Sequence, residues 1–229
     1  MKHAFLFFLF IITFSYAQEN IVTKEVDSLY KEDQFYAGVT YNLLAKTPSG
    51  LNQSGFSLGF HLGFIKDMPI NKSRNFAIGV GLGFSANSFN QNLLISKDNS
   101  RDFTYDILES SSTYSKNKFS SYLIEVPFEF RWRTSTPMEY KFWRIYTGFK
   151  FGYVLAQTSK YIGDLGSLKH SKNDDFNSLQ YGLTLSAGYN TWNIYLYYAL
   201  NPLFSKDAQL NGHNINMNAI KIGLMFYVL

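Results

Sequence analysis

The chain has 229 residues, of which 46% are hydrophobic and 17% are charged, and its formal net charge is +4. This length fits one domain or at most two small ones, and the absence of cysteine excludes disulfide frameworks, thiolate zinc sites and cysteine nucleophiles. A net charge this small does not indicate a nucleic-acid partner, which would require a clustered basic stripe.

The first residues are typical of a secretory signal peptide, which we assign to residues 1–17. An apolar run over residues 4–14 precedes Ser15-Tyr16-Ala17, whose small residues suit a signal peptidase, so cleavage is expected before Gln18. A membrane anchor is the alternative, but the run is shorter than the roughly 20 residues that cross a bilayer. Residues 18–33 then form a polar periplasmic arm, either a short amphipathic helix or a flexible tail.

From residue 34 onward the hydrophobic residues recur with a period of two, which indicates β-strands. In the second run the large apolar side chains Phe56, Leu58, Phe60, Leu62 and Phe64 alternate with small or polar residues. Runs of this kind begin near residues 35, 56, 76, 122, 143, 179, 192 and 218. Each is close to the roughly 9–11 residues that a tilted strand needs to cross a membrane. We therefore predict an all-β fold, an eight-stranded antiparallel up-and-down transmembrane β-barrel over residues 34–229.

The composition of the two strand faces distinguishes a membrane barrel from a soluble sandwich. The second face of several runs consists largely of Gly, Ser and Ala, which would weaken a strand exposed to water but suits the crowded interior of a small barrel. The apolar face suits lipid, where a basic side chain would cost about 2–4 kcal/mol at mid-bilayer. The charged residues on the fourth and fifth runs all fall on the interior face: Glu125, Glu129, Arg131, Arg144 and Lys150.

These five charged residues have two interpretations. They form either an ion-pair network that fills the lumen or a selectivity filter or proton path. Because an eight-stranded barrel has room only for side chains, we favour the ion-pair network, in which each buried charge has a partner. Pro127 lies on the same face and has no N–H, so it should mark a bulge or a local break in strand pairing.

The connections between the runs alternate in length. Short connections with turn residues, among them Asp67 and Pro69, fall at 67–74, 134–140 and 190–192, and long polar ones fall at 88–118, 159–178 and 201–217. All three tryptophans, Trp132, Trp143 and Trp192, lie beside short connections, as expected of an interfacial aromatic belt. Outer-membrane barrels combine short periplasmic turns with long outer loops, so both chain ends are predicted to be periplasmic.

The last run has the pattern of a C-terminal assembly signal. Polar Lys221 and small Gly223 are followed by apolar Phe226 and Val228 near the end of the sequence. Outer-membrane barrels use such a pattern when the barrel-assembly machinery inserts them. This machinery and the lipid bilayer of the outer membrane are therefore expected partners.

Two stretches resemble the PorT-like outer-membrane β-barrel family. They are residues 34–88 and residues 125–152, where an acid-Val-Pro start and an Arg-rich strand end precede a short turn and an Arg-Ile-Tyr-x-Gly-x-Lys run. The resemblance implies an eight-stranded outer-membrane barrel. It also implies that some members are accessory components of type IX protein secretion, while others have no assigned role.

Sites for catalysis or metal binding are weakly represented. A hydrolase needs a nucleophile, a base and an orienting acid in contact, and nothing in the sequence fixes such a geometry around His61, His170 or His213. Asp174 and Asp175 near His170 could bind a hard cation, but we favour solvated loop charge. We expect no enzyme, no metal and no cofactor.

Three functions follow from this reading. The first is a non-enzymatic accessory barrel with protein partners in an outer-membrane complex, such as that of type IX protein secretion. The alternatives are a pore for small solutes and a stand-alone structural or adhesive barrel.

Overall fold

In the computed structural model, residues 33–109, 111–134 and 142–228 are described. The predicted signal peptide, residues 1–17, and all but the last residue of the predicted arm, residues 18–33, lie outside these ranges. No helix in the described part of the chain is long and apolar enough to cross a membrane.

The described chain folds into thirteen β-strands. In chain order they are β1 (Gln34–Ala45), β2 (Leu58–Pro69), β3 (Phe76–Asn90), β4 (Leu93–Lys97), β5 (Phe103–Ile107), β6 (Tyr114–Arg133), β7 (Trp143–Gly163), β8 (Gly166–Ser171), β9 (Leu179–Tyr189), β10 (Trp192–Ala199), β11 (Gln209–Leu210), β12 (His213–Asn214) and β13 (Asn218–Val228).

Eight of these strands form one closed antiparallel barrel. Going round the wall, the order is β1, β2, β3, β6, β7, β9, β10 and β13, and β13 pairs with β1. This closing seam extends from the Phe35–Val228 pair to the Ala45–Asn218 pair. Closure leaves no open sheet edge in the wall, which a lipid environment requires. The predicted eight-stranded antiparallel barrel is therefore confirmed.

The barrel has its large apolar side chains outside and its polar side chains inside. Phe35 is 64% exposed, Leu62 58% and Trp192 62%, whereas the alternate positions Thr40 and Ser85 are buried. The small interior residues make room for large ones on neighbouring strands. A Cβ atom added at Gly63 would lie 2.6 Å from the Tyr36 ring, and one at Gly83 would collide with the Tyr36 hydroxyl. Compared with a soluble β-protein the arrangement is inverted, because the polar side chains form the interior of the barrel.

Two strands are much longer than a membrane crossing. β6 has 20 residues and β7 has 21, and they remain paired as far as Tyr114 and Gly163, with a bulge that leaves Leu155 without a pairing partner. The β7–β8 hairpin and the β4–β5 and β11–β12 pairs lie at the same end. The long connections predicted at 88–118, 159–178 and 201–217 therefore contain strands that the alternation did not predict. Beyond the apolar band, strands no longer need an apolar outer face, so the alternation that marks them fades.

Pro127 interrupts pairing on one side of β6 only. The β3–β6 register runs through the Val80–Phe128 pair and resumes at the Gly83–Glu125 pair. On the other side Pro127 stays in register with Lys150 of β7. The missing N–H accounts for the gap, as the sequence predicts.

Candidate functional site: a charged lumen and an aromatic cap

The barrel has a turn end and a cap end. At the turn end lie the short connections 70–75 and 190–191, the paired ends of β6 and β7 at Arg133 and Arg144, and both ends of the described chain. The three tryptophans lie here: the Trp143 ring centroid is 5.3 Å from that of Tyr189, the Trp192 ring is 4.7 Å from Phe226, and Trp132 is paired with Phe76 and Ile145. The cap end contains β4, β5, β8, β11, β12 and the connections between them.

A fully buried carboxylate joins two arginines in the lumen at the turn end. Asp67 Oδ1 accepts hydrogen bonds from Arg131 Nη1 at 2.9 Å and from Arg133 Nη1 at 2.8 Å. Its Oδ2 accepts from Arg133 Nη2 at 2.8 Å, and all three side chains have no exposed surface. The sequence predicts a turn at Asp67, whereas β2 continues to Pro69 and directs Asp67 inward. Asp67 is therefore the main acidic residue of this cluster.

Arg131 is the centre of this turn-end cluster. Its Nε lies 3.2 Å from Glu129 Oε2, and its Nη2 donates to Gln34 Oε1 at 2.7 Å. Its guanidinium carbon lies 4.2 Å from the centroid of the Tyr146 ring, a cation–π distance. Arg144 is buried nearby, but no described carboxylate lies within the 4.0 Å that defines an ion pair, and its closest ring is Phe142 at 4.5 Å. Arg144 therefore does not balance Glu125 or Glu129, contrary to the sequence-based grouping.

A second cluster lies further inside the lumen, around Glu125. Its Oε2 is 3.1 Å from Lys150 Nζ and 3.5 Å from His61 Nδ1, and its Oε1 is 3.9 Å from Lys221 Nζ. Ser85 Oγ donates to the same Oε1 at 2.8 Å. One carboxylate thus faces two lysines and a histidine in a space with almost no exposed surface.

The structure brings together most of the predicted lumen residues, but in two groups rather than one. Glu125 is joined to Lys150, and Glu129 is joined to Arg131. The sequence-based set omitted Asp67 and Arg133, and it assigned Lys221 to an assembly signal only. The alternation places Lys221 on the inner face of the last run, and extending the second run by a few residues would have placed Asp67 there too.

Buried tyrosine rings pack beside the two charged clusters in the lumen. Tyr36, Tyr195, Tyr197 and Tyr227 are all buried, and Lys150 Nζ lies 5.0 Å from the centroid of the Tyr195 ring. The space left between these rings, Glu129 and Lys150 measures about 10 Å³. That is about the space that a single water molecule requires.

The cap end is closed by an aromatic cluster that the sequence analysis did not detect. Phe89 and Phe119 point inward from the upper parts of β3 and β6, with ring centroids 5.0 Å apart. The rings of Phe176 and Phe204, from two of the long connections, lie 4.2 Å apart with their planes tilted by 37°, and both contact Phe119. Tyr105 of β5 meets Phe204 edge-on at 5.6 Å. We call these five residues the aromatic cap.

Hydrogen bonds join the long connections above the aromatic cap. The Tyr105 hydroxyl donates to Asp175 Oδ2 at 2.6 Å, and Asn173 Nδ2 donates to the Tyr105 hydroxyl at 2.8 Å. Burial, followed by this bond to Asp175, raises the pKa of Tyr105. Asn177 Nδ2 donates to the carbonyls of Pro202 and Phe204. The described residues of the segments 88–118, 159–178 and 201–217 therefore form one folded unit.

Among the described residues, the histidines and the acidic residues of the loops do not form a common site. His61 lies in the lumen beside Glu125, and His213 is exposed in β12. His170 lies on β8, edge-on to Phe103 at 6.0 Å, and burial and the charge of Lys97 lower its pKa. In the described ranges no group of three or more metal-ligating side chains is assembled.

Comparison with known proteins assigns the family. The family described as "Outer membrane protein beta-barrel domain" matches residues 16–205. Among solved structures, the attachment invasion locus protein Ail of Yersinia pestis is similar at 16% identity and a TM-score of 0.38, over 87% of this chain and 100% of that one. A Rh. blastica porin mutant is similar at 8% identity and a TM-score of 0.21, over 87% and 100% of the two chains. No curated protein matches. Because the family match spans most of the sequence, this chain belongs to the outer membrane protein beta-barrel domain family.

Proposed function

We propose that this outer-membrane barrel is neither an enzyme nor a pore, and that it acts through protein contacts made by its folded cap end. In this proposal it is an accessory subunit of an outer-membrane assembly such as that of type IX protein secretion. The termini and the short turns face the periplasm, and the cap end faces outward. The observation that carries the proposal is the aromatic cap, which ties the long connections together over a filled lumen.

The closed lumen argues against transport of solutes. A conducting barrel keeps a water-filled path, whereas here tyrosine rings and two ion-pair clusters fill the middle and aromatic residues fill the mouth. Apart from Arg144, the buried lysines and arginines described in the lumen are in ion pairs, which fits the ion-pair interpretation better than a selectivity filter.

The folded cap end suits recognition by a protein. Loops that already share a core lose little conformational entropy when a partner binds, so more of the contact energy appears as affinity. Its exposed features include Leu165 at the β7–β8 tip and Asn211 between β11 and β12. The same rigid surface supports the second candidate function, a stand-alone adhesive barrel whose cap contacts a surface outside the cell.

Two measurements test the proposal. Protein reconstituted in planar bilayers should show no steady ion current, and steady single-channel currents would favour the pore. Photo-crosslinking residues placed at Leu165 or Asn211 should capture outer-membrane proteins in native membranes, whereas the same residue at Lys72, exposed in a turn at the other end, should not. Adducts formed only from Lys72 would move the contact surface to the turn end. If no cap-end adduct forms, but cells that lack the protein attach less well to surfaces, the adhesive barrel is favoured.

A further inference from the structure

Three lysines stand directly opposite one another on neighbouring strands above the apolar band. In the strand register Lys118 of β6 is paired with Lys160 of β7, and Lys160 is paired with Lys169 of β8. Their side chains share the outer face, because Phe119 and Tyr161, their inward-pointing chain neighbours, are buried. We call these three residues the lysine row.

No acidic side chain on that face compensates for the lysine row. Its neighbours on the same face are Asn90, Lys116, Ser120, Thr158, Ile162, Ser167 and Ser171. Among the described residues, none of the lysines on this face has a carboxylate within the 4.0 Å that defines an ion pair. The nearby Asp164 at the hairpin tip accepts a hydrogen bond from the Tyr161 hydroxyl on the other face. Like charges directly opposite each other destabilise a sheet. An anionic ligand bound between these lysines would relieve the repulsion.

A groove on the barrel wall leads away from the lysine row towards the apolar band. Its volume is about 300 Å³, and Lys118 forms part of its upper edge. The small side chains of Ser88 and Ser120, which face each other across β3 and β6, form its floor. Aromatic residues form its walls, among them Phe56, which is 81% exposed, and Tyr122, which is 40% exposed. The groove is therefore apolar towards the membrane and basic at its other end.

We propose that the lysine row binds the phosphate groups of an anionic lipid in the leaflet at the cap end, with an acyl chain of that lipid in the groove. Tyr122 is the last aromatic residue on the outer face of β6 before the lysine row, and Lys118 lies four residues beyond it, roughly 13 Å along the strand. This offset brings the lysines to the level of the headgroups, where ammonium groups bind phosphates as point charges. The aromatic groove next to the row favours a lipid over a soluble polyanion, because a soluble polyanion has no acyl chain to place in the groove.

The lysine row lies on the outer sheet face of β6, β7 and β8 and does not include Leu165 or Asn211, so lipid binding and the proposed protein contacts are tested at different residues. Two phosphates match the spacing of a row better than one. Adjacent strands are about 4.8 Å apart, so the outer lysines of the row are separated by about 10 Å at their Cα atoms. We therefore expect a preference for a headgroup with two phosphates over one with a single phosphate.

The test compares two lipids in nanodiscs. Full-length mature protein is reconstituted in phosphatidylcholine containing either bisphosphorylated or monophosphorylated lipid A. Native mass spectrometry of the protein after mild extraction then measures the lipid that stays bound. The wild type should retain the bisphosphorylated form preferentially. The triple variant Lys118→Gln, Lys160→Gln, Lys169→Gln should bind it on the order of one hundred-fold more weakly, since each lysine near an anionic surface contributes about fivefold.

Matched variants separate charge from position. The control Lys46→Gln, Lys72→Gln, Lys206→Gln removes the same charge from exposed positions elsewhere and should bind like the wild type. Ser120→Trp fills the groove without changing charge and should also reduce lipid retention. If the triple variant does not fold, as judged by heat-modifiable migration, Lys160→Gln and Ser120→Trp provide the comparison.

Three results would overturn the proposal. The first is equal retention of the two lipids by the wild type. The second is unchanged retention in both the lysine and the groove variants. The third is tight binding of inositol hexakisphosphate without retention of either lipid, which would make the ligand a soluble polyanion.

Discussion

Replacing Asp67 by Asn should be among the most damaging single changes in the lumen. The substitution keeps the shape of the side chain but removes the negative charge that accepts three hydrogen bonds from Arg131 and Arg133. Both guanidinium groups are buried, so they would lose a buried ion-pair partner without gaining water. Breaking one partner out of a buried ion pair costs about 3–5 kcal/mol, and we expect a loss of stability in that range.

The neighbouring acid gives a graded comparison. Glu129 makes one contact with Arg131, at 3.2 Å, while Arg131 keeps Asp67 and Gln34 as partners. Glu129→Ala should therefore destabilise the barrel by less, about 1.5–3 kcal/mol, the range for a hydrogen bond to a charged group. The double change Asp67→Leu, Arg133→Met should recover part of the Asp67→Asn loss, because replacing a whole buried pair by apolar groups is often neutral.

Urea unfolding in detergent, followed by tryptophan fluorescence, measures these differences. Trp132 lies in sequence between Arg131 and Arg133 and so reports on this end of the barrel. Asp106→Asn, a change of the same type at an exposed position, should leave the free energy of unfolding within about 0.5 kcal/mol of the wild-type value. If Asp67→Asn unfolds at the wild-type midpoint, the turn-end cluster is hydrated and the buried-pair reasoning is wrong.

Four further outcomes are expected. Because the wild type has no cysteine, a surface label should reach Ser112→Cys but not Ser135→Cys on intact cells, and the reverse would invert the proposed orientation. Deleting Phe226–Leu229 removes part of the closing seam and should leave the chain soluble or degraded, so normal heat-modifiable migration would contradict an assembly role. Phe204→Ala should lower the stability of the cap end by about 3–5 kcal/mol, seen as faster hydrogen exchange there and not in the barrel wall, and uniform exchange rates would refute a separate cap core. The raised pKa of Tyr105 means that its contribution is complete below the unfolded value of about 10 and is lost as pH rises through the folded value. Protease cleavage in the cap end should therefore increase as pH rises above about 10 in the wild type, and less so in Tyr105→Phe.

The barrel and its inner face could be predicted from the sequence because they depend on a local period of two. That period placed Glu125 and Lys150 inside without any knowledge of pairing, and the structure has both in the lumen. The period of two could not predict which of the inward-facing charged residues form ion pairs. Whether Arg131 meets Glu129, Asp67 or both depends on the register between strands that are distant in the chain, and Asp67 belongs to a strand that continues through an apparent turn.

The aromatic cap could not be predicted for a related reason. Phe176 and Phe204 lie in polar stretches without periodicity, and each contacts residues far away in the chain. The Tyr105–Asp175 hydrogen bond joins residues 70 positions apart. Composition showed that these segments are long and polar, but a few apolar residues among many polar ones define a core only once the barrel holds the segments together.

The shared core of the cap end limits how this protein can vary. In many membrane barrels the outer loops are separate, so each can lengthen or change without effect on the others. Here an insertion near Phe176 or Phe204 would disturb every segment packed against them. The β7–β8 tip is different: Gly166 has a positive φ of 85° and open space around it, and Leu165 beside it is 59% exposed. Epitope tags and sequence drift should therefore be tolerated at this tip and rejected a few residues away.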